Sequence, residues 1–192
     1  MRKHVPPPGL AAKAVTAAFV VAIGSFSALD ASAAVPITGL YNTGAVSGDG
    51  SQDTNYKLSK TGGDGPAIGS YGFDSGGWTG FPFGPWLANT GDSQWLTPTV
   101  NPGDTFDATS NATYTWSLGF NLTGYDPATA SFSGRWATDN NATIKLNGNA
   151  LASTTGTQDF GKWTAFSSAG GFINGANTVS YTHLTLPTSD LV

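Results

Sequence analysis

The chain has 192 residues with twelve Asp and no Glu, eight Lys or Arg and no cysteine, giving a formal net charge of −4. An acidic surface this short of basic residues excludes nucleic acid or an anionic membrane as the natural partner. The absence of cysteine excludes disulfide staples and thiolate chemistry, so stability must come from a packed core or a bound ion. Asp belongs in turns and Glu in helices, and Gly, Ser, Thr and Asn are abundant here, so the composition favours short strands joined by polar turns.

In chain order, Arg2, Lys3 and Lys13 flank a basic start, residues 14–23 form an apolar run, and Ala31-Ser32-Ala33 has the small-x-small pattern of a cleavage site. Residues 1–33 therefore read as a signal peptide, and the protein as exported. The alternative is a retained anchor, for which the apolar run is short, so no membrane span is expected in the mature chain. After Ala33, five basic residues stand against eleven Asp, a net charge of −6. Residues 35–41 suggest a first strand, residues 47–55 a polar loop, and Tyr56-Lys57-Leu58 a short strand. Residues 61–84 are Gly-rich, carry Tyr71, Phe73, Trp78, Phe81 and Phe83, and read as a long loop. Strand texture returns at 85–89 and 93–96, and Asn101-Pro102-Gly103-Asp104 is a turn.

Residues 114–122, Y-T-W-S-L-G-F-N-L, alternate polar and apolar without a break. The parity resumes at Ala130, Phe132, Gly134 and Trp136, and again at Ile144 and Leu146, which suggests three antiparallel strands in series. It also places Trp116, Phe132 and Trp136 in the core. Asn147-Gly148 tolerates two positive φ angles, so a further strand near Leu151 should fold straight back. Strands follow at 160–166 and 177–181. The spacing of roughly eight strands predicts an all-β chain, an antiparallel two-sheet sandwich of jelly-roll type.

Several motifs in order carry a resemblance: Ile37-Thr38-Gly39-Leu40-Tyr41-Asn42-Thr43-Gly44, Trp86-Leu87-Ala88-Asn89, Ser93-Gln94-Trp95, Leu122-Thr123-Gly124-Tyr125-Asp126-Pro127, Ser133-Gly134-Arg135-Trp136, Leu146-Asn147-Gly148 and Gly171-Phe172-Ile173-Asn174-Gly175. Over residues 35–179 the chain resembles the exported β-sandwich domain of bacterial PEP-CTERM sorting-domain proteins. The resemblance implies a galactose-binding-like sandwich at residues 34–179. It implies the extracellular space or cell surface of a Gram-negative-type bacterium, with exopolysaccharide or cell-envelope components as partners, and it brings no established activity. Residues 180–192 depart from the pattern. They read as an atypical tail with the look of a translated adapter remnant, against the alternative of a genuine strand at 181–186 stopped by Pro187.

Catalytic material is sparse. His183 is the one histidine beyond Ala33, so a Ser-His-Asp set or a His-based zinc site has little to draw on. A secreted glycan-active enzyme with paired Asp carboxylates is the alternative to a non-catalytic surface or matrix module. Structural calcium is the one cofactor suggested, with Asp49, Asp53 and Asn55 as ligands in an oxygen-rich loop; the plain alternative is an Asx-turn loop. Polysaccharide binding would draw on Trp78, Phe81, Phe83 and Trp86 as ring platforms, unless these fold back over the sandwich. Arg135 has outward parity and could meet a ligand, with a surface pair to Asp139 as the default. Asp139 and Asn140, in the 139–141 turn, complete the polar candidates. The sequons at Asn111, Asn121 and Asn141 are chance matches in so Asn- and Thr-rich a chain.

Overall fold

Alternation of the kind seen at 112–121 puts every second ring on one side of an extended chain, and burial there follows the parity without exception. The computed structural model describes residues 18–23, 37–45, 48–64, 68–73, 86–101, 110–156 and 159–185. Ten strands lie within them: β1 (Ala18–Ile23), β2 (Lys57–Gly62), β3 (Tyr71–Phe73), β4 (Trp95–Thr97), β5 (Ala112–Asn121), β6 (Phe132–Asp139), β7 (Ala142–Leu146), β8 (Asn149–Thr154), β9 (Thr164–Ser168) and β10 (Ala176–Thr185). The helical pieces among the described residues are two 3-10 turns, Pro127–Thr129 and Asp159–Gly161. No helix there is long and apolar enough to cross a membrane.

The strands form two five-stranded sheets, ordered β3-β4-β1-β6-β9 and β2-β5-β10-β7-β8. Every pairing is antiparallel. The chain is thus all-β, and the sheets share one core. Tyr114, Trp116 and Leu118 of β5, Ile144 of β7 and Tyr181 of β10 meet Leu96 of β4, Phe132 and Trp136 of β6 and Phe166 of β9. Trp116 and Trp136 are fully buried, as their parity predicts. A second cluster, Phe73, Trp86, Trp95, Ala137 and Phe160, covers the other face of the first sheet. Neighbouring residues such as Trp136 and Ala137 therefore enter different clusters, and this part of the sheet is buried on both sides.

Three expectations change. The blocks at 114–122 and 132–136 are consecutive in sequence but belong to different sheets, so they form no three-strand meander. Parity tells which face is apolar and carries no information about the neighbouring strand. Residues 37–41 form turns instead of a first strand, because Gly39 takes a φ of +93°. A side chain there would lie 3.4 Å from the Gly119 carbonyl. The Gly-rich segment 61–84 contributes β3, which pairs with β4.

The Asn147-Gly148 hairpin forms as expected, with both φ values positive, and β8 returns along β7. Its tip is tied to the β9–β10 connection by Asn177, which is buried. The Asn177 Oδ1 accepts from the Asn147 Nδ2 at 2.8 Å and from the Ile173 N–H at 2.9 Å. Its Nδ2 donates to the Ile173 and Gly175 carbonyls at 2.8 and 2.9 Å. Leaving such groups unpaired in the interior costs about 1–3 kcal/mol each, with partial recovery through water. Asn177→Ala is therefore expected to lower the unfolding free energy by about 3 kcal/mol, read from urea denaturation with an unchanged m-value.

Candidate functional site

The polar candidates fall at the link between the two sheets. Asp139 ends β6 in the first sheet and Ala142 begins β7 in the second, so residues 139–141 form a crossover and not a turn between neighbouring strands. Hydroxyls from two strands hold it. Thr138 Oγ1 donates to the Asn140 carbonyl at 3.2 Å and Thr154 Oγ1 at 2.9 Å, while the Ala142 N–H donates to Thr154 Oγ1 at 3.0 Å. Asp139 is buried, and burial pushes its carboxyl up from 3.8 to about 7. His183, facing Ala142 across β10 and β7, is buried as well. Burial drives its imidazole down from 6.5 to about 4, opposed by a backbone contact with Asp139 that favours the proton. Neither ring nitrogen of His183 has a hydrogen-bond partner of good geometry, and the Oδ1 atoms of Asn140 and Asn141 are likewise buried without one.

Arg135 is exposed, as its parity predicts. It does not pair with Asp139: four residues of strand separate them by about 13 Å, and the carboxyl is inside. Its guanidinium instead lies 4.4 Å from the centre of the Trp163 ring, a cation–π contact that places Trp163 beside the outward face of β6. Trp86 is no open platform, because it is buried among Phe73 at 5.7 Å, Trp95 at 4.6 Å and Phe160 at 6.1 Å. Trp78, Phe81 and Phe83 lie outside the described residues.

The loop suggested for calcium is organised by its own backbone. Asp53 is buried, and its carboxylate accepts from the Gly44 N–H at 2.7 Å, the Asn55 N–H at 2.8 Å and the Tyr56 N–H at 3.2 Å. The bond to Asn55 is an Asx turn. Asp49 is exposed, and the Asn55 Nδ2, a donor, is the buried polar atom that lacks a partner. N–H groups aimed at a carboxylate leave it few lone pairs for a cation, so these residues fit a loop staple better than an oxygen cage. No group of three His, Cys, Asp or Glu residues that could hold a metal occurs among the described residues.

The alternation had marked the polar positions of β5 as a solvent face without indicating what they join. The register shows it: Ser59, Thr115, Thr182, Thr143 and Ser153 stand opposite one another in turn, one residue from each strand of the second sheet. Thr115 Oγ1 lies 3.4 Å from Thr182 Oγ1, and Thr143 Oγ1 lies 3.0 Å from Ser153 Oγ. Parallel to this row run Lys57, Ser117, Ser180 and Lys145. On the other side an open groove of about 420 Å³ is lined by Thr113, Asn141, Thr143, Ser153, Thr182 and Leu184, among others. The row offers uncharged hydroxyl donors and acceptors, with Lys57 and Lys145 beside it. No family model, curated protein or solved structure matches the chain.

Two outcomes follow. The raised carboxyl binds a proton in the folded state between about pH 4 and 7, so folding loses stability as pH rises through that window. The lowered imidazole sheds a proton on folding between about pH 4 and 6.5, so stability is lost as pH falls. The slopes oppose, and wild-type stability should be nearly flat from about pH 4 to 6.5. Asp139→Asn should lose stability on acidification and His183→Gln on alkalinisation, each by at most ~1.4 kcal/mol per pH unit in urea titrations. Asp53→Ala should cost about 2–3 kcal/mol. The wild-type Tm, measured by scanning calorimetry, should be the same in calcium and in chelator.

Proposed function

We propose that the chain is an exported, non-catalytic module of the cell surface or extracellular matrix that binds polysaccharide across the outer face of its second sheet. The observation that carries this reading is the transverse row from Ser59 to Ser153. At about 4.8 Å per strand it extends roughly 19 Å, long enough to meet several sugar rings in succession. A hydroxyl row can donate and accept at each step, as sugar hydroxyls also do. Lys57 and Lys145 in the adjoining row add positive charge beside it. The leader pattern supports export, and the motif resemblance supports a jelly-roll, galactose-binding-like sandwich of the PEP-CTERM-associated kind.

The use made of the acids supports a non-catalytic reading over a paired-Asp glycosidase. Asp53 staples a loop, Asp126 caps the 3-10 turn through the Ala128 N–H at 2.9 Å, and Asp159 accepts from the Gly156 N–H at 2.6 Å and pairs with Lys162 at 2.8 Å. On a glycan array the wild-type protein should retain at least one polysaccharide. The double variant Thr115→Val/Thr182→Val keeps the shape and β-propensity of both residues. It should bind that glycan about tenfold or more weakly with an unchanged Tm. Unchanged affinity in the double variant, together with loss in Trp78→Ala, would move the site to the Gly-rich loop. An array with no binding at all would remove the polysaccharide reading.

A further inference from the structure

Arg135 is the one arginine among the described residues, and it stands on the outer face of the first sheet. Parity along β6 puts Ser133 on the same face, and the register with β9 sets Ala165 opposite Arg135 and Ser167 opposite Ser133. All four are exposed. At about 7 Å along the strand and about 5 Å across to its neighbour, they make a small shelf of two hydroxyls and a methyl, from which the arginine rises.

Trp163 bounds the shelf and fixes the guanidinium. The segment leading to it is pinned: Asp159 accepts from the Gly156 N–H at 2.6 Å and pairs with Lys162 at 2.8 Å, and the Phe160 carbonyl accepts from the Leu87 N–H at 3.0 Å. The Trp163 ring packs against the second apolar cluster, and the guanidinium lies 4.4 Å from its centre. A ring contact holds the plane of an arginine without using its N–H donors. No carboxylate among the described residues takes them up. Asp139, the one acid of β6, is buried about 13 Å away, and Asp159 is answered by Lys162.

We propose that this shelf is a separate carbohydrate contact, and that it takes a carboxylated sugar, a uronate, of an acidic polysaccharide. The carboxylate accepts two parallel N–H bonds from Arg135, and the sugar hydroxyls meet those of Ser133 and Ser167. An acidic peptide also carries carboxylates, but in a run of charge that a chain of net charge −4 repels. A uronate polymer spaces its carboxylates among uncharged hydroxyls, and hydroxyls are what flank Arg135. The shelf lies on the opposite side of the sandwich from the row Ser59 to Ser153, so the inference does not rest on that row.

The test uses the full chain and three fluorescent tetrasaccharides that carry galacturonate, mannuronate or glucuronate, with their methyl esters as neutral counterparts. At least one acid form should bind, and its ester at least about tenfold more weakly. Arg135→Gln should weaken binding by the same factor. Arg135→Lys should weaken it nearly as much, because an ammonium keeps the charge and loses the fork. Both variants should keep the wild-type Tm to within about 4 °C, since one exposed ring contact is lost. Thr115→Val/Thr182→Val should leave this binding unchanged, which separates it from the hydroxyl row. Residues 24–36 follow β1, whose last residue faces Gly134, and they contain Asp30 outside the described residues. Binding that appears only in Asp30→Asn would assign the shelf to this segment of the same chain and overturn the proposal. Binding of no acid form, equal binding of the ester, or wild-type affinity in either Arg135 variant would also overturn it. So would loss in the Thr115/Thr182 variant, or equal Arg135-dependent binding of tetra-aspartate.

Discussion

Ten consecutive residue pairs join β5 to β10, from Asn121 opposite Ala176 to Ala112 opposite Thr185, and the rest of the molecule follows this register. A slip of one residue would turn Tyr114, Trp116 and Leu118 to water and bring Thr113, Thr115 and Ser117 into the core. The same ladder places Tyr181 6.2 Å from Tyr56 in its own half of the molecule and 6.0 Å from Trp136 in the opposing sheet. Contacts of this kind between aromatic rings add to the burial that holds the sheets together. The outer face is the complement of the same arrangement, so its hydroxyl row is as fixed as the core.

Without cysteine, the loops need another means of closure, and buried or capping Asp carboxylates supply it. Asp53 gathers three backbone N–H groups from two segments, while Asp159 joins Gly156 to Lys162. Charge-assisted bonds of this type are stronger than neutral ones, and each ends a stretch of backbone that no strand can satisfy. Asp92 acts at the surface in the same way, accepting from Asn42 at 3.1 Å and Thr90 at 2.5 Å. Acids spent on loop geometry are poorly placed to act as a catalytic pair. Asp139 differs from all of them, since burial raises its carboxyl to about 7.

Local signals were the legible part of this chain. The parity of β5, the core positions of Trp116, Phe132 and Trp136, and the Asn147-Gly148 hairpin each depend on a few adjacent residues, and each appears in the structure. The pairing of strands was not legible, because β5, β6 and β7 carry the same parity whether they adjoin or face one another across the core. The apolar texture of residues 18–23 reads as part of a leader, and nothing in it names β4 and β6 as the strands it pairs with. For Trp86 the sequence left a ring platform and a ring folded back over the sandwich both open, and the second holds, with Phe73 and Phe160 enclosing it. The hydroxyl row was invisible for a similar reason: its five members come from five segments that only the register aligns. Trp163 under Arg135 was missed because the contact crosses from β6 to the start of β9.

Asn147 is followed by a glycine, which has no side chain to shield its backbone nitrogen from attacking the asparagine carboxamide. Its side chain is held in place, with Nδ2 donating to the Gly171 carbonyl at 2.9 Å and to Asn177, and Oδ1 accepting from the Thr178 N–H at 2.9 Å. Conversion to aspartate would set a carboxylate oxygen against two acceptors that now receive a hydrogen, turning two attractions into repulsions. The turn that starts the hairpin is therefore also a place where chemical ageing would reach the tertiary structure, through the ties to Gly171 and Asn177.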